Sequence, residues 1–346
     1  MKKHLQRILP WIVAAGILYF MFQKIPPTDV LSTITHADIP RFIFFAIAYF
    51  IAIMMADCLG LKWLLSRFST KVSFKETILM RGATYLLMVV NYNLAQGGIA
   101  FYLRRTHRAP VFKTLGAMFY LTVVDLTLML TFSVLSIGIH DIAYRGVPLG
   151  PLIAKFALLF YAGLFVWIAF WMLIDRPFAK AVQKNKTVAW ILERHLFVAF
   201  RGSTATDYLK TVLYRLPTLA LVIFSIFLWT NAFLSSLPLA DIFLYTPIIM
   251  IVASLPITPA GLGTGQALSV EFFKTNLQGP LITGGLHSAE ELILAGSLLW
   301  AMGNFILKIL FGFYCLKRKS RSLFEEIKSP PSPSATQPAD RFDKGG

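Results

Sequence analysis

Cysteine, histidine and charge are all scarce in this 346-residue chain, and each scarcity removes a class of function. There are two cysteines, Cys58 and Cys315, far apart and each inside an apolar stretch. A disulfide framework or a metal knuckle needs paired spacings that these two lack. The six histidines (His4, His36, His107, His140, His195, His287) are scattered and form no HExxH pair, which argues against a zinc protease. No GxxxxGK(S/T) phosphate loop occurs, so nothing supports ATP-driven pumping by this chain alone. The Gly261-x-Gly263-x-Gly265 run resembles a dinucleotide loop only superficially, because no strand precedes it. The chain carries none of these signatures, and no cofactor, metal ligand or catalytic residue is expected.

Charged residues make up 14% of the chain, with 33 Lys and Arg against 17 Asp and Glu, a net charge of +16. That excess does not point to nucleic acid, because the basic residues cluster in short loops between apolar runs. What is abundant is hydrophobic sequence: 56% of residues, with a mean hydropathy of +0.65. Apolar runs of about 20 residues recur along the whole length, as in a polytopic α-helical membrane protein. They are continuous rather than alternating, which excludes a barrel.

The spanning candidates are residues 8–22, 40–65, 112–138, 151–174, 214–235 and 288–316. The first follows a basic N-terminus like a signal sequence. No small-residue cleavage site follows it, so it reads as a retained span. Two further apolar stretches, 77–103 and 241–273, are broken near the middle. One breaks at Asn91-Tyr92-Asn93-Leu94-Ala95-Gln96-Gly97-Gly98. The other breaks at Leu255-Pro256-Ile257-Thr258-Pro259-Ala260-Gly261-Leu262-Gly263-Thr264-Gly265-Gln266. Two prolines and three glycines cannot continue a helix there, and freed backbone at membrane depth is tolerated only inside protein or against a polar cavity.

If both broken stretches turn back, six spans remain and both termini share one side. The loops on that side then hold 27 of the 33 Lys and Arg, which makes it cytoplasmic by the positive-inside rule. If 77–103 crossed instead, the loop carrying Arg104, Arg105, Arg108 and Lys113 would face outward. The expected fold is all-α, with about six spans and two opposed re-entrant hairpins. One unit (40–65, 77–103, 112–138) enters its hairpin from the cytoplasm, and the other (214–235, 241–273, 288–316) enters from outside. Inverted repeats with broken helices are the usual plan of secondary transporters. Eight ordinary kinked spans are the alternative. Residues 175–215 are expected to lie on the cytoplasmic leaflet as an amphipathic segment, or to form a solvated loop. The tail, 317–346, is basic and then disordered by composition.

A half-helix that starts near the midplane points unsatisfied N–H groups into a cavity, and its dipole favours an anion by roughly 0.3–1 kcal/mol. Such starts are expected near Gly98 and Gly263, with Gly97 and Gly261 allowing close approach. Thr258, Thr264 and Gln266, facing Asn91, Asn93 and Gln96, would add neutral hydrogen-bonding groups suited to a phosphate head group. Asp125 at mid-span and Asp57 near it each cost on the order of 2.5–3.5 kcal/mol at a bilayer centre, so each needs a cavity or a cation. They are candidates for charge or proton coupling, as is Glu271. Arg81 is a candidate partner for Asp57, and Arg81, Arg104 and Arg105 form a basic cytoplasmic mouth. Lys155 and Lys308 are expected to snorkel.

Residues 255–263 resemble the signature of the flippase-like transmembrane domain of lysylphosphatidylglycerol synthases and their stand-alone relatives. Tyr102-Leu103-Arg104-Arg105, followed by Val123-Val124-Asp125-Leu126, is similar to an earlier motif of that family. The resemblance covers roughly residues 5–316. It departs at Ala260-Gly261, where the family commonly has Gly-Gly, and at Gln266, where it has a glutamate. Gly97, Gly98 and Ala100 stand where it usually carries Gly-Glu and then an arginine. The resemblance implies a lipid moved between leaflets of the bacterial inner membrane, with cytoplasmic termini: an aminoacyl-phospholipid, a hopanoid or a polyprenyl-linked lipid. The resemblance is to the transmembrane half of a lysyltransferase, and a lysyl-transferring domain is not expected in the residues after Leu316, so the chain is not expected to be an enzyme. Membrane lipids, with an anionic head group, are the expected partners, together with a lipid-modifying enzyme. The alternatives are a non-transporting accessory subunit of such an enzyme and a gradient-driven small-solute carrier.

Overall fold

The computed structural model describes residues 25–90, 92–138, 147–174, 195–254 and 261–328, together with 19, 21–23, 143–144 and 258. Its helices are α1 (Pro27–Thr35), α2 (Ile39–Phe68), α3 (Phe74–Val90), α4 (Tyr92–His107), α5 (Val111–Ile137) and α6 (Gly150–Leu173). They continue with α7 (Ala205–Ala232), α8 (Leu239–Ser254), α9 (Thr264–Phe273) and α10 (Ala289–Lys328), besides single turns between them. Among the described residues, the sole sheet is a two-residue pairing of Ala143–Tyr144 with Val147–Pro148. The chain is an all-α polytopic membrane protein. Five helices, α2, α5, α6, α7 and α10, are long and apolar enough to cross a bilayer, and they match five of the six expected spans. The sixth, 8–22, lies almost wholly outside the described residues, as do 175–194 and the tail from 329.

Side-chain pairs at the helix ends show how the bundle is strung. The Asp38 N–H donates to the Ala232 carbonyl at 2.9 Å, and Arg67 grips Asp207 through two hydrogen bonds of 2.9 Å. So α2 and α7 pack antiparallel along their whole length. Ser69 bonds Thr114 at 2.8 Å, placing the start of α5 at the Arg67 end. Ser136 reaches the Phe243 carbonyl at 3.4 Å, placing the start of α8 at the opposite end.

Each broken stretch folds back on itself. In one straight helix, Glu76 and His107 would stand about 46 Å apart at 1.5 Å per residue. Instead Glu76 Oε1 lies 2.8 Å from His107 Nε2 and accepts from the Tyr102 hydroxyl at 3.2 Å. The α3–α4 hairpin therefore opens at the Arg67 end. In the other hairpin, Asn276 Nδ2 donates to Asp241 Oδ2 at 2.8 Å, and Tyr245 stacks on Phe272 with ring centroids 5.0 Å apart. The α8–α9 hairpin opens at the opposite end. The Arg67 end carries Lys62, Lys71, Lys75, Arg104, Arg105, Lys113, Lys210 and Lys317, whereas the described residues of the other end carry Arg41, Lys155 and Lys274.

Two expectations need correction. The span expected from Tyr214 starts nine residues earlier, at Ala205. Thr204 and Asp207 form a reciprocal cap there: Asp207 N–H donates to Thr204 Oγ1 at 3.2 Å, and Thr204 N–H to the Asp207 carboxylate at 2.9 Å. The described part of the 175–215 segment is also not a surface strip. Phe200 is buried against Phe119, Tyr120 and Trp167, because aromatic burial outweighs any attraction of the leaflet. Gly116 on α5 lets the Leu196 carbonyl approach so closely that a Cβ would collide with it. By contrast α6 is peripheral, presenting Leu152, Phe156, Leu158, Phe165 and Val166 outward.

Candidate functional site

Four charged side chains from four helices meet inside the bundle. Arg81 of α3 donates from Nε to Asp57 Oδ2 of α2 at 2.6 Å. Arg215 of α7 donates from Nη1 to Asp57 Oδ1 at 2.7 Å. The same guanidinium grips Asp125 of α5 through Nε at 2.6 Å and Nη2 at 2.9 Å. All four carboxylate oxygens are engaged, and Asp57, Arg81 and Arg215 are buried. Counting residues from the basic ends of these helices places the network about 10–20 Å inside them.

A lone charge at that depth is costly, but a planar guanidinium that forks two carboxylates satisfies the desolvated groups directly. The network also joins the two units, because Arg215 belongs to one and Asp57, Arg81 and Asp125 to the other. Two residues beyond Arg215, Pro217 supplies no N–H to the helix ladder of α7.

The network forms one wall of a cavity of about 410 Å³, within the range of small-ligand sites. Tyr49, Tyr85, Met129 and Met250 line it, with Trp300, Asn304 and Lys308 from one face of α10. The turn of the second hairpin contributes Leu262 and Gln266. The cavity thus lies between the units, with helices of both in its walls.

The expected site residues divide sharply. Asp57, Arg81, Asp125 and Gln266 meet at the cavity, and Arg81 does pair with Asp57. Thr258, Gly261, Gly263 and Thr264 do not line it. Their polar groups are spent within the turn: Thr264 Oγ1 bonds the Gly261 carbonyl at 3.1 Å and Thr258 Oγ1 at 3.2 Å, and Gly263 N–H donates to Gln266 Oε1 at 2.7 Å. Gly261 and Gly263 have φ of +74° and +87°, a left-handed conformation that glycine adopts without strain. The half-helix start near Gly263 is present as the N-cap of α9.

The start expected near Gly98 is not there. The second arm begins at Tyr92, so Gly97 and Gly98 lie within α4, where Gly98 lets Thr84 and Leu87 pack against the backbone. Gln96 is buried away from the cavity. Asn91 and the side chain of Asn93 lie outside what is described. Glu271 bonds Lys274 at 3.2 Å at the less basic end, and this hydrogen bond holds the Lys274 ammonium above its ordinary pKa. Arg104 and Arg105 are exposed at the basic end, outside the cavity.

Arg215 and Lys308 were missed by reading the sequence, the first as a loop cation and the second as a snorkelling one. The Thr204-x-x-Asp207 cap is the signal that would have drawn Arg215 into a helix. For Lys308 the signal was its i, i+4, i+8 spacing with Asn304 and Trp300.

The family model described as the lysylphosphatidylglycerol synthase TM region matches residues 7–312. The chain belongs to this family. No curated protein and no solved structure showed a match. The match places the hairpins and the ion network in a single membrane domain of the synthase TM region, and it covers no synthase domain.

Proposed function

We propose that this family member is a lipid translocase of the bacterial inner membrane, passing a lipid head group through the cavity while the acyl chains stay in the bilayer. The observation that carries the reading is the buried ion network on the wall of a cavity between two opposed hairpins. Ionisable residues at membrane depth mark substrate or ion pathways, and a buried ion pair is weak support for stability alone. The arms of the first hairpin are at most 17 residues long, about 25 Å, against a hydrocarbon core of about 30 Å. That shortfall favours re-entry over crossing, for a chain whose basic end, with both termini, faces the cytoplasm. Translocation asks for no bond-making by this chain, and its energy comes from a gradient acting on Asp57 and Asp125 or from downhill flow.

Purified protein reconstituted into vesicles should move fluorescent phospholipid between leaflets faster than protein-free vesicles. If no lipid class in a broad panel exceeds the protein-free rate, the reading fails. Cysteines introduced at Arg105 and Asn276 should react with impermeant reagents from opposite sides of the membrane, and labelling from one side would refute the topology.

A further inference from the structure

The cavity contains more positive than negative charge. Asp57 and Asp125 face Arg81, Arg215 and Lys308, and every carboxylate oxygen already accepts a guanidinium N–H. Lys308 lies within electrostatic reach of Arg81 and Asp57 but has no ion-pair partner among the described residues. Two neutral side chains point the same way. Gln266 is 7% exposed and turns its Oε1 toward the Gly263 N–H, which leaves the Nε2 amide protons without a partner among the described residues. The orientation of this amide is fixed, since an N–H must meet the oxygen and not the nitrogen. Thr218 is 9% exposed, and its Oγ1 has no hydrogen-bond partner among the described residues. The cavity therefore presents an ammonium and a carboxamide N–H₂, both able to donate, with the unsatisfied Thr218 hydroxyl in its wall. Its carboxylates, the groups that would hold a cation, are already occupied.

We infer that Lys308, Gln266 and Thr218 form a binding site for an anionic phosphodiester head group lacking a compensating amine. The inference rests on the translocase reading and names the substrate class of the same cavity. A head group bearing an extra ammonium would meet Lys308 and two guanidiniums with no free carboxylate, a like-charge encounter that disfavours it. A phosphodiester monoanion supplies the missing negative charge and accepts from all three donors.

The test measures binding, independently of transport. Detergent-purified full-length chain is titrated with short-chain phosphatidylglycerol, phosphatidylcholine and inorganic phosphate, by calorimetry or native mass spectrometry. The wild type should bind phosphatidylglycerol about tenfold more tightly than phosphatidylcholine, as expected for one charged hydrogen bond. Lys308→Met should erase that preference, lowering phosphatidylglycerol affinity more than phosphatidylcholine affinity, with the melting temperature unchanged. Lys308→Arg should restore it, and Gln266→Glu should weaken it.

Competition by inorganic phosphate at similar concentration would support the anion site and show that it reads phosphate without the lipid. An unaltered preference in Lys308→Met, or equal binding of both lipids by the wild type, would overturn the inference. A protein that binds with this preference yet moves no lipid would sink the translocase reading and leave the site standing.

Discussion

The α3–α4 hairpin gives the cavity a guanidinium, Arg81, with Tyr85 and Met88 from the same arm. The α8–α9 hairpin gives it no charge but supplies its turn residues Leu262 and Gln266. Their glycines differ in the same sense. Gly97 and Gly98 are helical, Gly97 beside open space and Gly98 against Leu87 and Thr84, whereas Gly261 and Gly263 hold left-handed backbone that only a turn requires. Two hairpins that look alike as broken apolar runs thus do separate work. One anchors the ion network, and the other builds a turn whose described polar groups bond one another, with Gln266 at the cavity.

The largest effect is expected where the first hairpin's network is broken. Arg215→Leu leaves Asp125 with no cation partner and Asp57 with one, and should cost about 3–5 kcal/mol, read as a lowered melting temperature in detergent. Replacing Asp125 by Leu in the same chain should recover part of that loss.

The second hairpin is tested next. Gly261→Ala forces a Cβ into left-handed backbone and toward Ala253, 2.7 Å from its methyl group. It should cost about 1–2 kcal/mol from the backbone alone. The matching change in the first hairpin, Gly98→Ala, meets the flexible end of Leu87, and should cost less than Gly261→Ala in the same melt. Equal costs would erase the distinction between the two turns. The smallest effect belongs to Gly97→Ala, which has open space around it and should stabilise α4 by about 0.5–1 kcal/mol.

Five of the six spans and both folded-back stretches were legible in the sequence because hydropathy and helix breakers act locally. Apolar runs need a bilayer or a core, and Pro256, Pro259 and the glycines beside them cannot continue a helix. The ion network was half legible. Asp57 and Asp125 stood out as acids inside apolar runs, and Arg81 as a cation near one of them. Arg215 did not, since Asp207 and Lys210 make the first turns of α7 look like loop. Lys308 was hidden for a different reason: a long cationic side chain near a helix end has an easy route to the surface, and nothing in the sequence says that it faces inward. The turn polar groups misled in the opposite direction. Thr258 and Thr264 looked available to a ligand, but a turn buried in protein must first satisfy its own backbone.

The proposed translocation requires lipid to pass through the cavity between the hairpins. Ala301 lines that cavity from α10, seven residues and about 10 Å before Lys308. Ala301→Trp should fill the passage without removing a charge. The direct measurement is the rate of fluorescent-phospholipid movement in vesicles carrying Ala301→Trp, beside wild type of equal melting temperature. The account predicts a rate reduced to that of protein-free vesicles. A wild-type rate in the filled variant would contradict it.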